Sequence, residues 1–328
     1  MAKKDLLTER IVYKPFEYPE AHDYWLKQQQ AHWIHTEVPM MSDVNDWKQN
    51  LTKTEKNIIG SILKGFAQTE TVVNDYWTGL VTKWFRKPEI IAMATTFGAM
   101  ETIHAEAYSL LNEELGLDDF SEFMEDEATM AKIETLMNVR DSFDGEIDWH
   151  ERAKSLAIFS AFTEGVNLFS SFAVLLSFKM RNKLKGVGQI VEWSIRDESM
   201  HSDAGCWLFR TLLLEHPELN TPELEAAINE AALLSLKLEL DFIEKVYEYG
   251  DLEGCNKEDL IHFIKNRVNT KLGDLGYKPI VDNVDMTAVD RMKWFDHLSA
   301  GKQHTDFFAN RVTNYSKGHI EWDAAAIF

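Results

Sequence analysis

Two short motifs with identical spacing limit the folds that this chain can adopt. Glu101-Thr-Ile-His104 and Glu198-Ser-Met-His201 both read E-x-x-H, and a lone glutamate precedes each motif, Glu70 before the first and Glu164 before the second. Residues three positions apart lie on one face of an α-helix, so each motif directs a carboxylate and an imidazole to the same place. The chain therefore offers four carboxylates and two imidazoles in two matched sets.

This ligand set predicts a buried site for two metal ions. A carboxylate can bridge two metals through its two oxygens, whereas an imidazole binds one metal. Without metal, four buried acids would be costly and would take up protons. Oxygen-rich ligands with two nitrogens and no thiolate suit Fe or Mn better than structural Zn. We therefore predict six metal ligands: Glu70, Glu101, His104, Glu164, Glu198 and His201.

A single E-x-x-H motif would carry little weight, because about one is expected by chance in a chain with this much Glu and 11 His. It would then be an ordinary pair on a helix surface. Here each motif lies in an apolar helical segment and follows a glutamate on a predicted helix of its own. The arrangement is similar to ferritin-like bundles, in which two helices each supply a Glu and two others each supply Glu-x-x-His. We predict an all-α, ferritin-like helical bundle with a dinuclear metal site in its core.

The composition also favours long helices. Only 16 Gly and 7 Pro occur in 328 residues, of which 45% are apolar, and no strand pattern is evident. Long helices are predicted over about 52–85, 88–116 and 149–180, and a further one ends near His216. We predict a single helical domain over 1–311 and a flexible tail over 312–328, where polar residues precede an apolar tip.

Charge and cysteine content restrict the partners. The formal net charge of -20 argues against a nucleic-acid partner or an anionic membrane surface, because phosphate binding needs clustered Lys and Arg. The longest nearly apolar run, around Phe169 to Phe178, is too short to span a membrane. Cys206 and Cys255 are too few for a disulfide scaffold, and no secretory signal is visible at the N-terminus. We therefore expect a cytoplasmic protein.

At these residues the chain resembles the small, radical-generating subunit of class I ribonucleotide reductase. Beside the proposed ligands, the likeness rests on Trp33 ahead of an acidic residue and Pro39, on Tyr108, on Arg196–His201 and on Thr305–Tyr315. It covers nearly the whole length. The resemblance implies a subunit that assembles an oxidised dinuclear metal cofactor and passes the oxidising equivalent to a large subunit, which reduces ribonucleotides to deoxyribonucleotides. It also implies a homodimer.

The same resemblance implies roles for single residues. Tyr108 matches the position of a stable tyrosyl radical. Trp33 and Asp197 match the groups that relay an electron and a proton towards the subunit surface. Tyr315 matches the tail tyrosine that passes the hole onward, and the tail 312–328 matches the peptide that docks on the large subunit.

The first ligand bears on the expected metal. Many family members with an iron–tyrosyl cofactor have Asp at this position, where this chain has Glu70. Glu here resembles the subgroups in which a Mn-containing centre itself stores the oxidising equivalent. One of those uses Mn and Fe and replaces the tyrosine by Phe, but this chain keeps Tyr108. It therefore looks most like the class Id subgroup with two Mn ions, and two Fe ions or Mn with Fe are the alternatives.

Other functions are compatible with the ligands alone. An oxygen-activating oxidase or monooxygenase with its own substrate would share them, but it would have no use for a relay from Trp33 through Asp197 to Tyr315. A storage protein of the ferritin type would have a chain about half this long. A purely structural bundle would bind no metal.

Overall fold

The computed structural model describes residues 4–117 and 147–299, together with positions 130, 131, 134 and 137, and omits the side chains of 67 and 68. The predicted tail 312–328 and Tyr315 lie outside the described residues, and so does the predicted domain boundary at 311. The six predicted metal ligands, Trp33, Tyr108 and Asp197 all lie within them.

The described residues are mostly helical, with a single isolated bridge between Leu252 and Cys255 and no strand, which confirms the predicted all-α class. The α-helices are α1 Pro19–Gln30, α2 Met41–Asn45, α3 Lys53–Asp75, α4 Thr82–Trp84, α5 Pro88–Leu115, α6 Trp149–Ile158, α7 Phe169–Met180, α8 Lys185–Glu215, α9 Pro222–Tyr247, α10 Lys257–Leu275, α11 Met286–Arg291 and α12 Lys293–Ser299. Within 4–117 and 147–299 there are also three π-helical segments, Asp46–Asn50, Tyr76–Val81 and Phe159–Thr163, and two short 3-10 turns, His35–Glu37 and Pro217–Leu219.

Helix α5 begins and ends where the sequence predicts, and α3 begins at its predicted N-terminus, but the predicted continuous α-helix over 52–85 is interrupted after Asp75 by the π segment Tyr76–Val81. The Thr52 hydroxyl accepts a hydrogen bond from the Glu55 N–H at 3.1 Å, and the Glu55 carboxylate accepts one from the Thr52 N–H at 2.8 Å. This capping box satisfies two backbone donors at the start of α3. Pro88 occupies the first turn of α5, and Gly116 ends that helix with a φ of 69°, a left-handed conformation that suits glycine.

The predicted continuous helix over 149–180 is wrong. After α6 the backbone widens into the π segment Phe159–Thr163, where the Glu164 N–H donates to the Phe159 carbonyl five residues back. Turns then lead to α7. A side chain at Gly165 would meet the Ser202 hydroxyl at 2.7 Å. The absence of a side chain at this position therefore lets the turn approach α8 closely, and Glu164 stands at the end of a π segment.

The helix α8 lies at the centre of the bundle and contacts α1, α5, α6, α7 and α10. The Glu198 and His201 side chains of α8 are almost fully buried, and α5 buries Glu101 and His104 in the same interior. Helix α1 packs across α5 and α8 and brings Gln28 and Trp33 to the edge of this region. Within the described part of the chain, no helix combines the length and apolar character needed to cross a bilayer.

Candidate metal centre

The structure brings the predicted ligand side chains together in the core. Their ligand atoms form two overlapping groups, and within each group the atoms all lie within 4.8 Å of one another. The first group is Glu70, Glu101, His104 and Glu198, and the second is Glu101, Glu164, Glu198 and His201. Glu101 and Glu198 belong to both groups, so the arrangement can hold two metal ions that share two carboxylates.

The histidine Nδ1 atoms face the carboxylates at short range. His104 Nδ1 lies 3.0 Å from Glu101 Oε2 and 3.0 Å from Glu198 Oε1. His201 Nδ1 lies 2.7 Å from Glu101 Oε1 and 3.9 Å from Glu164 Oε2. The two imidazole rings are 6.5 Å apart and close to parallel. Each ring therefore presents the same nitrogen to a common carboxylate between them.

Many of these buried ligand atoms have no hydrogen-bond partner among the described residues. Both oxygens of Glu70 and of Glu101 are unpaired in this sense, as are Oε2 of Glu164, Oε1 of Glu198 and Nδ1 of both histidines. The short contacts to Nδ1 thus lie off hydrogen-bonding directions. Unpaired buried polar atoms are costly and uncommon in folded proteins. Their convergence fits two cations, which would satisfy all of them at once.

The charges in the cluster oppose one another in the absence of metal. Burial and the charge of a neighbouring carboxylate raise the pKa of Glu70 and of Glu164 well above the ordinary value. Burial and the charge of Glu101 raise the pKa of Glu198 to about 7. Burial also opposes ionisation of Glu101, but the two protonated histidine rings outweigh it and lower its pKa to about 2. The metal-free cluster therefore holds protons that bound metal would displace.

The Nε2 atom of His104 contacts a buried aspartate. Asp197 Oδ2 lies 3.3 Å from this nitrogen and accepts a hydrogen bond from Trp33 Nε1 at 2.7 Å. Burial opposes ionisation of Asp197, but the hydrogen bond and charge of His104 and the nearby Arg196 hold its pKa below the ordinary value. The Trp33 ring also stacks near His104, with ring centres 5.6 Å apart. Trp33, Asp197 and His104 thus form a continuous path from the segment after α1 to the ligand cluster.

The Nε2 atom of His201 contacts a neutral amide, which sequence reasoning missed. Gln28 Nε2 donates to Asp197 Oδ1 at 3.1 Å, so Gln28 Oε1 is left to accept from His201 Nε2 at 3.0 Å. Both histidines therefore carry the proton on Nε2 when neutral, and Nδ1 is free for a metal. Gln28 begins a run of three glutamines, and no feature of the sequence separates it from its neighbours.

A second partner that the sequence reasoning missed is Trp77. Its indole Nε1 donates to Glu164 Oε1 at 2.5 Å, and the side chain is fully buried. Trp77 follows Glu70 by seven residues, two turns of a helix, and therefore lies near the same helical face. This spacing is the signal that could have identified it.

Tyr108 lies beside the first ligand group. Its ring centre is 6.4 Å from that of His104 and 4.7 Å from that of Phe66. Its hydroxyl is buried and lacks a hydrogen-bond partner within the described residues. Burial and the charge of Glu70 raise the pKa of Tyr108 well above the ordinary value, so the phenol keeps its proton.

Comparison with known proteins gives consistent likenesses. Residues 10–284 match the family described as ribonucleotide reductase, small chain. The probable ribonucleoside-diphosphate reductase small subunit 048L of Invertebrate iridescent virus 3 is 34% identical, over 97% of this chain and 87% of the viral protein. The ribonucleoside-diphosphate reductase subunit beta of Chlamydia pneumoniae is 26% identical, over 94% of this chain and 91% of that protein.

Two solved structures share the fold. A putative class I ribonucleotide reductase from Bacillus halodurans superposes with a TM-score of 0.78 at 22% identity, covering 85% of this chain and 99% of the other. The dimanganese(II)-NrdF of Streptococcus sanguinis gives a TM-score of 0.74 at 22% identity, covering 87% of this chain and 99% of the other. At these identities the likeness shows the fold, which agrees with the predicted ferritin-like bundle.

Proposed function

Because the chain belongs to the small-chain family of ribonucleotide reductase and is a subunit of that oxidoreductase, we propose that its core cluster holds the dinuclear metal centre that initiates ribonucleotide reduction. The observation that carries this proposal is the overlap of the two ligand groups at Glu101 and Glu198, with buried ligand atoms that lack other partners among the described residues. The ligands are Glu70, Glu101, His104, Glu164, Glu198 and His201.

When bound, the metal pair supplies a strong one-electron oxidant. The chain's own residues hold and isolate it. The ligand side chains are at most 2% exposed, so bulk water has little access to the cluster. Asp197 and Gln28 fix the two imidazole rings through Nε2, which keeps Nδ1 available to a metal. Burial and neighbouring carboxylate charge raise the pKa of Glu70, Glu164 and Glu198, and bound cations would offset both effects.

Trp33 and Asp197 are proposed as the relay that carries the oxidising equivalent away from the centre. The supporting geometry is the hydrogen bond from Trp33 Nε1 to Asp197 Oδ2, together with the contact from Asp197 to His104. An electron leaving Trp33 can be coupled to movement of its indole proton towards Asp197. The family's large subunit accepts the oxidising equivalent. In this scheme Tyr315 continues the relay, and the tail 312–328 docks on the large subunit.

The metal identity proposed is two Mn ions. The support is Glu70, where many relatives with an iron–tyrosyl cofactor have Asp, and the fold shared with the dimanganese protein of Streptococcus sanguinis. Two Fe ions with a radical on Tyr108 are the alternative, followed by Mn with Fe. Electron paramagnetic resonance of the activated protein separates them. A narrow tyrosyl signal that disappears in Tyr108→Phe would contradict the Mn-centred assignment.

The proposed assembly is a cytoplasmic homodimer that works with the large subunit. The family match favours this function over a ferritin-like oxidase or monooxygenase with its own substrate. The direct experiment mixes the metal-loaded protein with its large subunit and measures deoxyribonucleotide formation. Deletion of 316–328 and Tyr315→Phe should each stop turnover while the metal content stays unchanged. Full activity after the deletion would contradict docking through the tail, and no activity of the intact protein would contradict the function itself.

A further inference from the structure

The indole N–H of Trp77 donates a hydrogen bond to Glu164, which distinguishes this carboxylate from Glu70 and Glu101. Glu70 and Glu101 keep both oxygens without a hydrogen-bond partner among the described residues, whereas Glu164 keeps only Oε2 unpaired. Its Oε1 accepts the Trp77 indole N–H at 2.5 Å. A carboxylate oxygen that already accepts a hydrogen bond from a buried donor is less available to a metal, because one of its two in-plane lone pairs is occupied.

The contacts around Trp77 fix the indole relative to Glu164. The Trp77 ring packs edge to face on Phe97 at 5.2 Å and on Phe159 at 5.6 Å between ring centres. Phe159 opens the π segment that ends next to Glu164, and Tyr76 stacks on Phe159 at 3.6 Å. Trp77 itself lies in the π segment Tyr76–Val81. The two π segments therefore pack through aromatic rings, and the same packing that holds the indole positions the backbone before Glu164.

We propose that Trp77 is a positioning residue that reserves Glu164 Oε1 and leaves Oε2 as the single oxygen offered to metal. Glu164 then binds one ion terminally, on the His201 side, where Oε2 lies 3.9 Å from His201 Nδ1. Glu101 and Glu198, the two carboxylates common to both ligand groups, would then be the ones available to both ions. This inference rests on the proposed dinuclear centre, and it adds a residue that the ligand motifs do not contain.

The alternative is that Trp77 is simply a large core residue. The two cases differ in Trp77→Phe, which keeps an aromatic ring in the core but lacks the N–H. If only packing matters, Trp77→Phe should change the Mn(II) affinity no more than a Trp→Phe change elsewhere in the core. If the hydrogen bond matters, Trp77→Phe frees the second Glu164 oxygen and removes the donor that orients the carboxylate. The affinity for one ion then falls, since loss of an outer partner of a ligand typically costs 10- to 100-fold. Trp84→Phe is the matched control, because Trp84 is also buried and packs on Tyr76, away from the ligands.

The first test titrates the full-length metal-free proteins with Mn(II) and follows free Mn(II) by electron paramagnetic resonance. We expect two sites in the wild type. In Trp77→Phe one site should weaken about tenfold and the other should stay within about twofold, while Trp84→Phe leaves both unchanged. Equal behaviour of the two Trp variants would overturn the inference.

A crystal structure of the Mn(II)-loaded wild type gives a second test that needs no variant. We expect one Glu164 oxygen on one ion and the other still within hydrogen-bonding distance of Trp77 Nε1. A bridging or bidentate Glu164 would overturn the inference while leaving the metal centre intact. A wild type that binds fewer than two Mn(II) ions would overturn the proposed function as well, so the two failures are distinguishable.

Discussion

The His104 half and the His201 half of the cluster contain the same motif but differ in what surrounds it. In each half Nδ1 of the histidine faces carboxylates and Nε2 has a hydrogen-bonding contact. His104 contacts an ionised Asp197, which also accepts from Trp33. The Nε2 atom of His201 instead contacts the neutral Gln28 amide. In the proposed centre the repeated motif supplies the metal ligands, and we infer that the residues in contact with each histidine Nε2 determine which half exchanges protons and electrons with the surface.

The halves also differ in their backbone. Glu70 lies within the regular helix α3, whereas Glu164 follows a π segment and is tied to Trp77. π segments occur preferentially at functional sites, because they aim a side chain where a regular helix would not. The cluster therefore combines a ligand from a regular α-helix, Glu70, with a ligand that follows a π segment, Glu164.

Removing a carboxylate common to both halves should have the largest effect. Glu101→Ala is expected to lose both metal ions, raising the dissociation constant for Mn(II) by more than about a hundredfold, above the usual cost of losing an outer partner. Metal per chain, measured by elemental analysis after gel filtration, checks this. Glu106→Ala on the same helix is the control, since Glu106 is exposed and belongs to neither ligand group. Retention of one full metal equivalent by Glu101→Ala would contradict the sharing.

Asp197→Asn tests the His104 half of the cluster, in which the histidine contacts a charged aspartate. An amide keeps the shape of the side chain but cannot accept a proton from Trp33 or His104 in the same way. Ribonucleotide reduction with the large subunit is expected to fall by about a hundredfold, the lower range for loss of a positioned proton acceptor, with two metals still bound. Asp203→Asn, an exposed position on the same helix, should be near normal. Normal turnover in Asp197→Asn would rule out the proposed relay.

Gln28→Leu tests the His201 half of the cluster, in which the histidine contacts a neutral amide. This change removes the contact to His201 Nε2 and one of the contacts to Asp197. We expect Mn(II) affinity at one site to fall about tenfold and turnover of the loaded protein to fall less than in Asp197→Asn. Titration and activity measured on the same samples decide the order. A larger loss of turnover in Gln28→Leu would reverse the assignment of the two sides.

The smallest expected effect is that of pH on metal binding. Since the metal-free pKa of Glu198 is raised to about 7, a proton must leave this group before metal binds, and this group alone should lower the affinity about threefold from pH 7.5 to pH 6.5. The raised pKa also means that the metal-free fold gains stability from this group at low pH and loses it as pH rises through about 7. Titrations of the wild type at both pH values test this, and an affinity that is the same at pH 6.5 and pH 7.5 would contradict it.

Helix periodicity and ligand spacing predicted much of this molecule. The i, i+3 relation within each E-x-x-H motif holds on any α-helix, so the pairing of Glu101 with His104 follows from sequence alone. The capping box at Thr52 and the breaks at Pro88 and Gly116 are local chemistry, and the corresponding helix ends were predicted correctly.

The features that were missed depend on contacts distant in sequence. The π segment before Glu164 arises where Gly165 lets the chain approach α8, and helical periodicity does not report it. Gln28 becomes a partner of His201 only because α1 packs across α5 and α8. Roles for Trp33, Asp197 and Tyr315 came from resemblance, and they remain predictions.

Anomalous diffraction from crystals of the full-length protein loaded with Mn(II) tests the central claim most directly. We predict two anomalous peaks in the core, one beside His104 and one beside His201, with oxygens of Glu101 and Glu198 in contact with both. A single peak, or two peaks that share neither carboxylate, would contradict the dinuclear centre.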